Sequence, residues 1–164
     1  MFENGANADI HESTTAREIL ADFKDSTLDY WVTGYGTGGT VTGVARALRS
    51  ERPDCKIVLS EPHNAPLIGS GVPQERLADG SPTGSHPAWE PHVIQGWTPD
   101  FIPKVLQEGI DQSFFDEVRP VDGVKGMGMA QHLAANEGIL TGVSGGSTLL
   151  TAVEVANEAP EGSV

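Results

Sequence analysis

The 164-residue sequence predicts an α/β fold of three layers, with helices on both faces of an open, mainly parallel sheet of about four strands. Three observations predict it. Short apolar runs alternate with stretches of helical periodicity, and glycines cluster where a run meets a stretch. One junction reads strand, Gly-rich loop, helix, strand, a βαβ unit that favours parallel pairing.

In chain order, "HESTTAREILADF" reads as a helix with no strand before it. "LDYWVTGYG" is a short apolar run ending at glycines, which predicts a buried strand over residues 28–33. In "GTVTGVARALRSE", Val41, Val44, Ala45 and Leu48 fall at helical spacing, giving a helix from Gly39 to Glu51. "KIVLSEP" supplies a second buried strand over 56–60. Residues 62–99 are crowded with Pro, Gly and polar residues and read as a long loop, a feature that in compact domains usually carries function. "DFIPKVLQEGI" follows as a short helix and "FDEVRPV" as a short strand. "VKGMGMAQHLAANEG" reads as a helix stopped by Gly138. "ILTGVS" predicts a fourth strand, and "STLLTAVEVANEA" a last helix. No internal repeat is present. The chain is expected to be a single partial domain over 1–164, cut from a larger α/β sheet, with exposed sheet edges that favour oligomerisation or marginal stability.

Composition narrows the function classes. The net charge of −13 argues against nucleic acid and anionic membranes, both of which reward clustered Lys and Arg. No apolar stretch approaches the roughly 20 residues that span a bilayer. The N-terminal "MFENGANADIHE" is acidic and polar and is not expected to act as a signal peptide, and the single cysteine, Cys55, fits a reducing cytoplasm. Cys55 has no accompanying Cys–His arrangement and reads as an inert thiol.

The chemistry-bearing stretch is "GYGTGGTVTG", with four glycines in its first six residues. Gly34, Gly36 and Gly39 satisfy G-x-G-x-x-G, and Glu61 follows at the spacing of a ribose-binding acid, so a Rossmann-type nucleotide site is one reading. A cradle for one phosphate is the second. Glycines at a helix start expose N–H groups to an anion, Thr37 and Thr40 add hydroxyls, and no P-loop Lys follows. A tight turn with no ligand is the third. "GVSGG" also satisfies G-x-S-x-G, but no histidine follows Ser144, so a hydrolase triad fails on chain order. Ser144 is instead placed to hydrogen-bond a ligand at the strands' C-terminal edge.

Taken together, "FENGANADIHESTTAREI", "GYGTGGTVTGVARAL", "SEP", "IQGWTPDFIP", "DEV", "EGILTGVSGGS" and "APEGSV" resemble, in order, the C-terminal half of cysteine synthase (O-acetylserine sulfhydrylase). That family comprises pyridoxal-phosphate enzymes of fold type II, the tryptophan-synthase-β class. Cystathionine β-synthase shares the loop motifs, but "HPAWEPHVIQGWTPDFIP" is more similar to cysteine synthases. The resemblance implies β-replacement, in which O-acetylserine and sulfide yield cysteine and acetate. It implies that Gly36, Thr37, Gly38, Gly39 and Thr40 bind the phosphate of pyridoxal 5′-phosphate and that Ser144 hydrogen-bonds its pyridine nitrogen. Gly96 matches the glycine of a flexible loop at the active-site mouth. The implied partners are an amino-acid substrate, a homo-oligomer, and the C-terminal tail of serine acetyltransferase.

The departures bear equally on function. In the family the Schiff-base lysine lies in an S-x-K segment of the N-terminal half, and none of Lys24, Lys56, Lys104 or Lys125 has that context. No catalytic residue is therefore assigned, and the chain alone is expected to be inactive as a synthase, leaving a non-catalytic binding module as the alternative class. Several residues are read as structural. His86, Glu90 and His92 are irregularly spaced for a metal. Trp89 and Trp97 are expected to pack, and Met127 and Met129 to lie in the core.

Overall fold

The structure is a computed structural model, and it describes residues 2–164. Nine elements follow in chain order: α1 (Ala6–Ser13), α2 (Thr15–Asp22), β1 (Tyr30–Gly34), α3 (Gly39–Glu51), β2 (Lys56–Pro62), α4 (Lys104–Asp111), β3 (Glu117–Val121), α5 (Gly123–Glu137) and α6 (Val143–Glu158). The three strands form one parallel sheet in the order β1-β2-β3.

The central strand, β2, is buried on both faces, which is why its sequence is a continuous apolar run rather than an alternation. Side chains on a strand alternate between faces. Ile57 packs with Val44, Ala45 and Leu48 of α3, and Leu59 packs with Val41 and with Leu106 of α4. On the opposite face the Ser60 hydroxyl meets that of Thr151 in α6 at 2.8 Å. Helices α3 and α4 thus cover one face, with α1 and α2 outside α3, while α6 backed by α5 covers the other. The expected three layers are present.

The N-terminal helix is broken rather than continuous. Thr14 leaves helical geometry at φ −123° and ψ −75°. Ser13 and Thr14 both turn their hydroxyls back to backbone carbonyls of α1, the local competition that disfavours Ser and Thr inside helices. An Arg46 guanidinium then clamps the layer: it makes a two-point contact with Glu108 of α4 at 2.7 and 2.6 Å and reaches Asp9 at 2.8 Å and Glu12 at 3.2 Å in α1.

One expected strand does not form. Residues 139–142 are irregular, with Ile139 55% and Leu140 88% exposed, and α6 begins at Val143. A strand exists by pairing, and among the described residues no neighbour lies alongside "ILT". The sheet therefore has three strands, not four. Met127 is likewise exposed rather than core. At the other end of the sheet, the Val164 carbonyl accepts from Asp29 N at 2.7 Å and Tyr30 N at 3.0 Å, capping the start of β1. No helix is long and apolar enough to cross a membrane among the described residues.

Candidate functional site

The glycine loop leaves the C-terminal end of β1 and enters α3. Gly38 caps α3 at φ 86°, a conformation that a side chain rarely adopts. The N-cap residue Gly38 makes no side-chain cap; Gly39 N–H is taken by Thr37 Oγ1, and the remaining N–H groups of the first turn lie at the positive end of the helix dipole. Thr37 Oγ1 accepts from Asn7 Nδ2 at 2.9 Å and from Gly39 N at 3.3 Å. Having accepted twice, its hydroxyl directs its proton elsewhere. Thr40 Oγ1 lies 3.1 Å from His11 Nε2, and His11 Nδ1 lies 2.9 Å from Thr15 Oγ1, so α1 orders both threonines.

The chain's own packing also demands these glycines. A Cβ on Gly39 would overlap the Asn7 amide, one on Gly38 would meet Leu106 at 2.6 Å, and one on Gly34 would enter the Trp97 ring. On Gly36 it would stand 2.5 Å from the Gly96 carbonyl oxygen. The glycines thus permit close approach by neighbouring segments as well as exposing N–H groups. This contact also brings Gly96, at φ 88°, against the phosphate-loop candidate, uniting two positions distant in sequence.

Ser144 lies at the second position of α6, after an irregular segment rather than a strand, so the elbow geometry of a hydrolase is not formed. With Thr151 against Ser60 and Val164 beside Tyr30 at the start of β1, α6 runs antiparallel to the strands. Its N-terminus therefore lies at their C-terminal edge, the edge that carries residues 36–40. The Ser144 hydroxyl makes no hydrogen bond among the described residues, and its carbonyl accepts from Thr148 Oγ1 at 3.0 Å. Among the described residues, no hydrogen bond joins the Ser144 hydroxyl to the glycine loop.

Glu61 is not a ribose acid. It is 1% exposed, and its two oxygens accept from the Tyr35 hydroxyl at 3.0 Å, Ile68 N at 3.1 Å and Gly69 N at 2.7 Å. Burial raises its pKa above the usual carboxylate range, against the lowering effect of these three donors and of His86. The neighbouring Tyr35 hydroxyl is pushed well above its ordinary pKa, by burial first and by Glu61 second, and so remains a donor. This buried pair and the Asn7 and His11 supports were not legible from the sequence. The only local signal was that polar residues of α1 precede a glycine loop needing partners.

The other candidates resolve as packing. His86 Nε2 donates to Val72 O at 2.9 Å, and His92 Nε2 donates to Thr98 O at 3.0 Å. Among the described residues no group of three or more His, Cys, Asp or Glu side chains is arranged to hold a metal. Trp89 Nε1 donates to Thr98 O at 3.2 Å, and Trp97 covers Gly34. Cys55 is buried, and desolvation pushes its thiol up to about 11. Cavities of about 510 and 450 Å³ flank Arg76, away from the glycine loop and Ser144, whereas one of about 350 Å³ lies beside Gly96 and Trp97.

Comparison with known proteins identifies the family. The family model described as "Pyridoxal-phosphate dependent enzyme" matches residues 1–164. The chain is 43% identical over 163 residues to the O-ureido-L-serine synthase of Streptomyces lavendulae, covering 99% of this chain and 44% of that protein. It is 35% identical over 161 residues to a cysteine synthase of Staphylococcus aureus, covering 98% of this chain and 46% of that one. The crystal structure of an O-ureido-L-serine synthase superposes with a TM-score of 0.84 at 43% identity, covering 99% of this chain and 45% of that chain. That of the Entamoeba histolytica cysteine synthase gives 0.78 at 31% identity, covering 98% and 40%. The chain spans less than half the length of these relatives. Relatives with two different reaction names match, so the comparisons support the family without singling out cysteine synthase.

Proposed function

This chain belongs to the pyridoxal-phosphate-dependent enzyme family, and from that premise we propose that it forms the cofactor-phosphate and ring-nitrogen half of a β-replacement enzyme acting on an activated L-serine derivative. One observation carries the proposal: an uncapped α3 N-terminus, flanked by Thr37 and Thr40, shares a sheet edge with the unpartnered hydroxyl of Ser144. The residues fit the group. Backbone N–H groups of residues 36–40 and the Thr37 and Thr40 hydroxyls hold the phosphate. Ser144 meets the pyridine nitrogen as a neutral partner, leaving that nitrogen unprotonated. When bound, pyridoxal phosphate supplies an electron sink for loss of a β-substituent, and a neutral hydroxyl keeps that sink moderate.

The names O-ureido-L-serine synthase and cysteine synthase both describe products that carry a heteroatom on the serine-derived carbon. We therefore place the chemistry at the class of β-replacement by a heteroatom nucleophile, with sulfide and O-acetylserine as one pairing and cystathionine β-synthase-like exchange as an alternative. Gly96, held against Gly36, lines the substrate mouth in this reading. None of this chain's four lysines is assigned to the cofactor. Lys104 donates to the Asp79 carbonyl at 2.6 Å, and Lys56 lies 5.4 Å from the centre of the Tyr30 ring, at the opposite edge of the sheet. The proposal therefore includes no synthase turnover by this chain alone. A serine acetyltransferase tail at the mouth remains part of the proposal by resemblance, as does a homo-oligomer.

Titrating the purified chain with pyridoxal phosphate, and competing it with inorganic phosphate, tests the assignment. Saturable binding to both, weakened at least fivefold by Thr37→Ala, is expected. Failure of phosphate to compete, or saturable NAD binding instead, would overturn it.

A further inference from the structure

A buried polar pair stands directly before the glycine loop. Tyr35 is 2% exposed and sits in an apolar cluster with Val41, Leu59, Leu67 and Leu106. Its hydroxyl donates to Glu61, which gathers the Ile68 and Gly69 N–H groups. Its carbonyl accepts from Thr98 N at 2.8 Å. A carboxylate inside an apolar cluster is costly even when well bonded, so apolar packing alone does not account for it.

The segment tied to Tyr35 is itself strained. Thr98, β-branched, has φ 36°, a left-handed conformation that is unfavourable for such a residue and persists only where the surroundings impose it. Donation from Trp89 Nε1 and His92 Nε2 to its carbonyl, and from its own N–H to Tyr35, provides that constraint. Its hydroxyl is buried near the Tyr35 phenol without hydrogen-bond geometry. One residue after Tyr35, Gly36 abuts the Gly96 carbonyl. Three segments (residues 36–40, 67–69 and 96–98) therefore converge on one side chain and its backbone.

We propose that Tyr35 and Glu61 form a positioning pair that couples occupation of the glycine loop to ordering of the 96–98 turn at the substrate mouth and of the 67–69 turn beside it. The inference rests on the phosphate reading of residues 36–40. A bound phosphate fixes the backbone around Gly36, and Tyr35 passes that restriction through its carbonyl to Thr98 and through its hydroxyl and Glu61 to Ile68 and Gly69. By linkage, ordering those turns strengthens phosphate binding by the same factor.

Amide hydrogen exchange with and without inorganic phosphate tests it, with Thr40 N–H reporting the loop and Val58 N–H reporting the global fold. In the parent chain, saturating phosphate should slow exchange at Ile68, Gly69 and Thr98 about tenfold and leave Val58 unchanged. In Tyr35→Phe that ligand-dependent protection should vanish at Ile68 and Gly69, which depend on the hydroxyl, and persist at Thr98, which is held by the retained carbonyl, and phosphate affinity should fall about fivefold. Protection of Thr40 without protection of the three distant amides in the parent chain overturns the coupling and leaves the phosphate site standing. So does undiminished protection of Ile68 and Gly69 in Tyr35→Phe. No saturable phosphate binding overturns both. Should Tyr35→Phe fail to fold, the parent-chain measurement decides.

Discussion

Glu61 shows how one residue's environment reverses its apparent role. At the end of a strand after a glycine loop it has the spacing of a ribose ligand, yet its oxygens are consumed inside the chain. Its folded pKa is raised above the usual 4.5, so the folded state holds its proton more tightly than the unfolded state. The favourable contribution is then fully present below about pH 4.5 and is lost as pH rises through the raised folded value. Chemical-denaturant stability of the parent chain should accordingly fall relative to Glu61→Gln between pH 4 and 8. A difference that is flat or slopes the other way would show that the backbone donors dominate burial. Because all other titrating groups are common to both proteins, the difference isolates this site.

The helices around the site hold one another by charge as well as by apolar contact. Arg46 lies partly buried in α3 and joins Glu108 in α4 to Asp9 and Glu12 in α1, so removing it leaves three carboxylates without their shared cation. Hydrogen bonding to Glu108 is the largest of the effects that raise the Arg46 pKa, and the guanidinium stays charged at every working pH. An isolated surface pair contributes little, but a partly buried network with two-point geometry contributes more. Arg46→Ala should therefore destabilise the chain by about 1–2 kcal/mol, measured by urea unfolding, and the loss should shrink in high salt. It should also loosen α1, which carries Asn7 and His11 to the threonines of the glycine loop. Element formation shows the same dependence on neighbours. Helix α3 runs from Gly39 to Glu51 as its periodicity predicts, whereas residues 139–142 have a strand's composition and form none.

Across the whole molecule, the sheet places the N-termini of α3, α5 and α6 at one edge, that of α5 capped by the Asp122 side chain. A ligand that binds only the folded chain stabilises it by mass action, by about 2.7 kcal/mol at a hundred times its dissociation constant. Inorganic phosphate should thus raise the thermal midpoint in a saturable manner, while chloride at matched ionic strength should not. Equal effects of the two salts would indicate general screening of the −13 net charge rather than a site. The exposed Ile139 and Leu140 and the three-stranded sheet leave apolar surface near the same edge.

The sequence by itself determined the α/β class, the order of helices and strands through α5 apart from the break at Thr14, the long loop 62–99 and the glycine loop, because each is written in local periodicity and turn chemistry. It also carried the family, through motifs in order along nearly the whole chain. Only the tertiary structure decided that Glu61 is an internal brace, that Asn7 and His11 support the threonines, that Gly96 meets Gly36, and that "ILT" lacks a partner. The physical reason is common to all four. Burial, hydrogen-bond saturation and strand pairing are properties of neighbours distant in the chain, and a local pattern records what a residue can do but not which neighbour claims it.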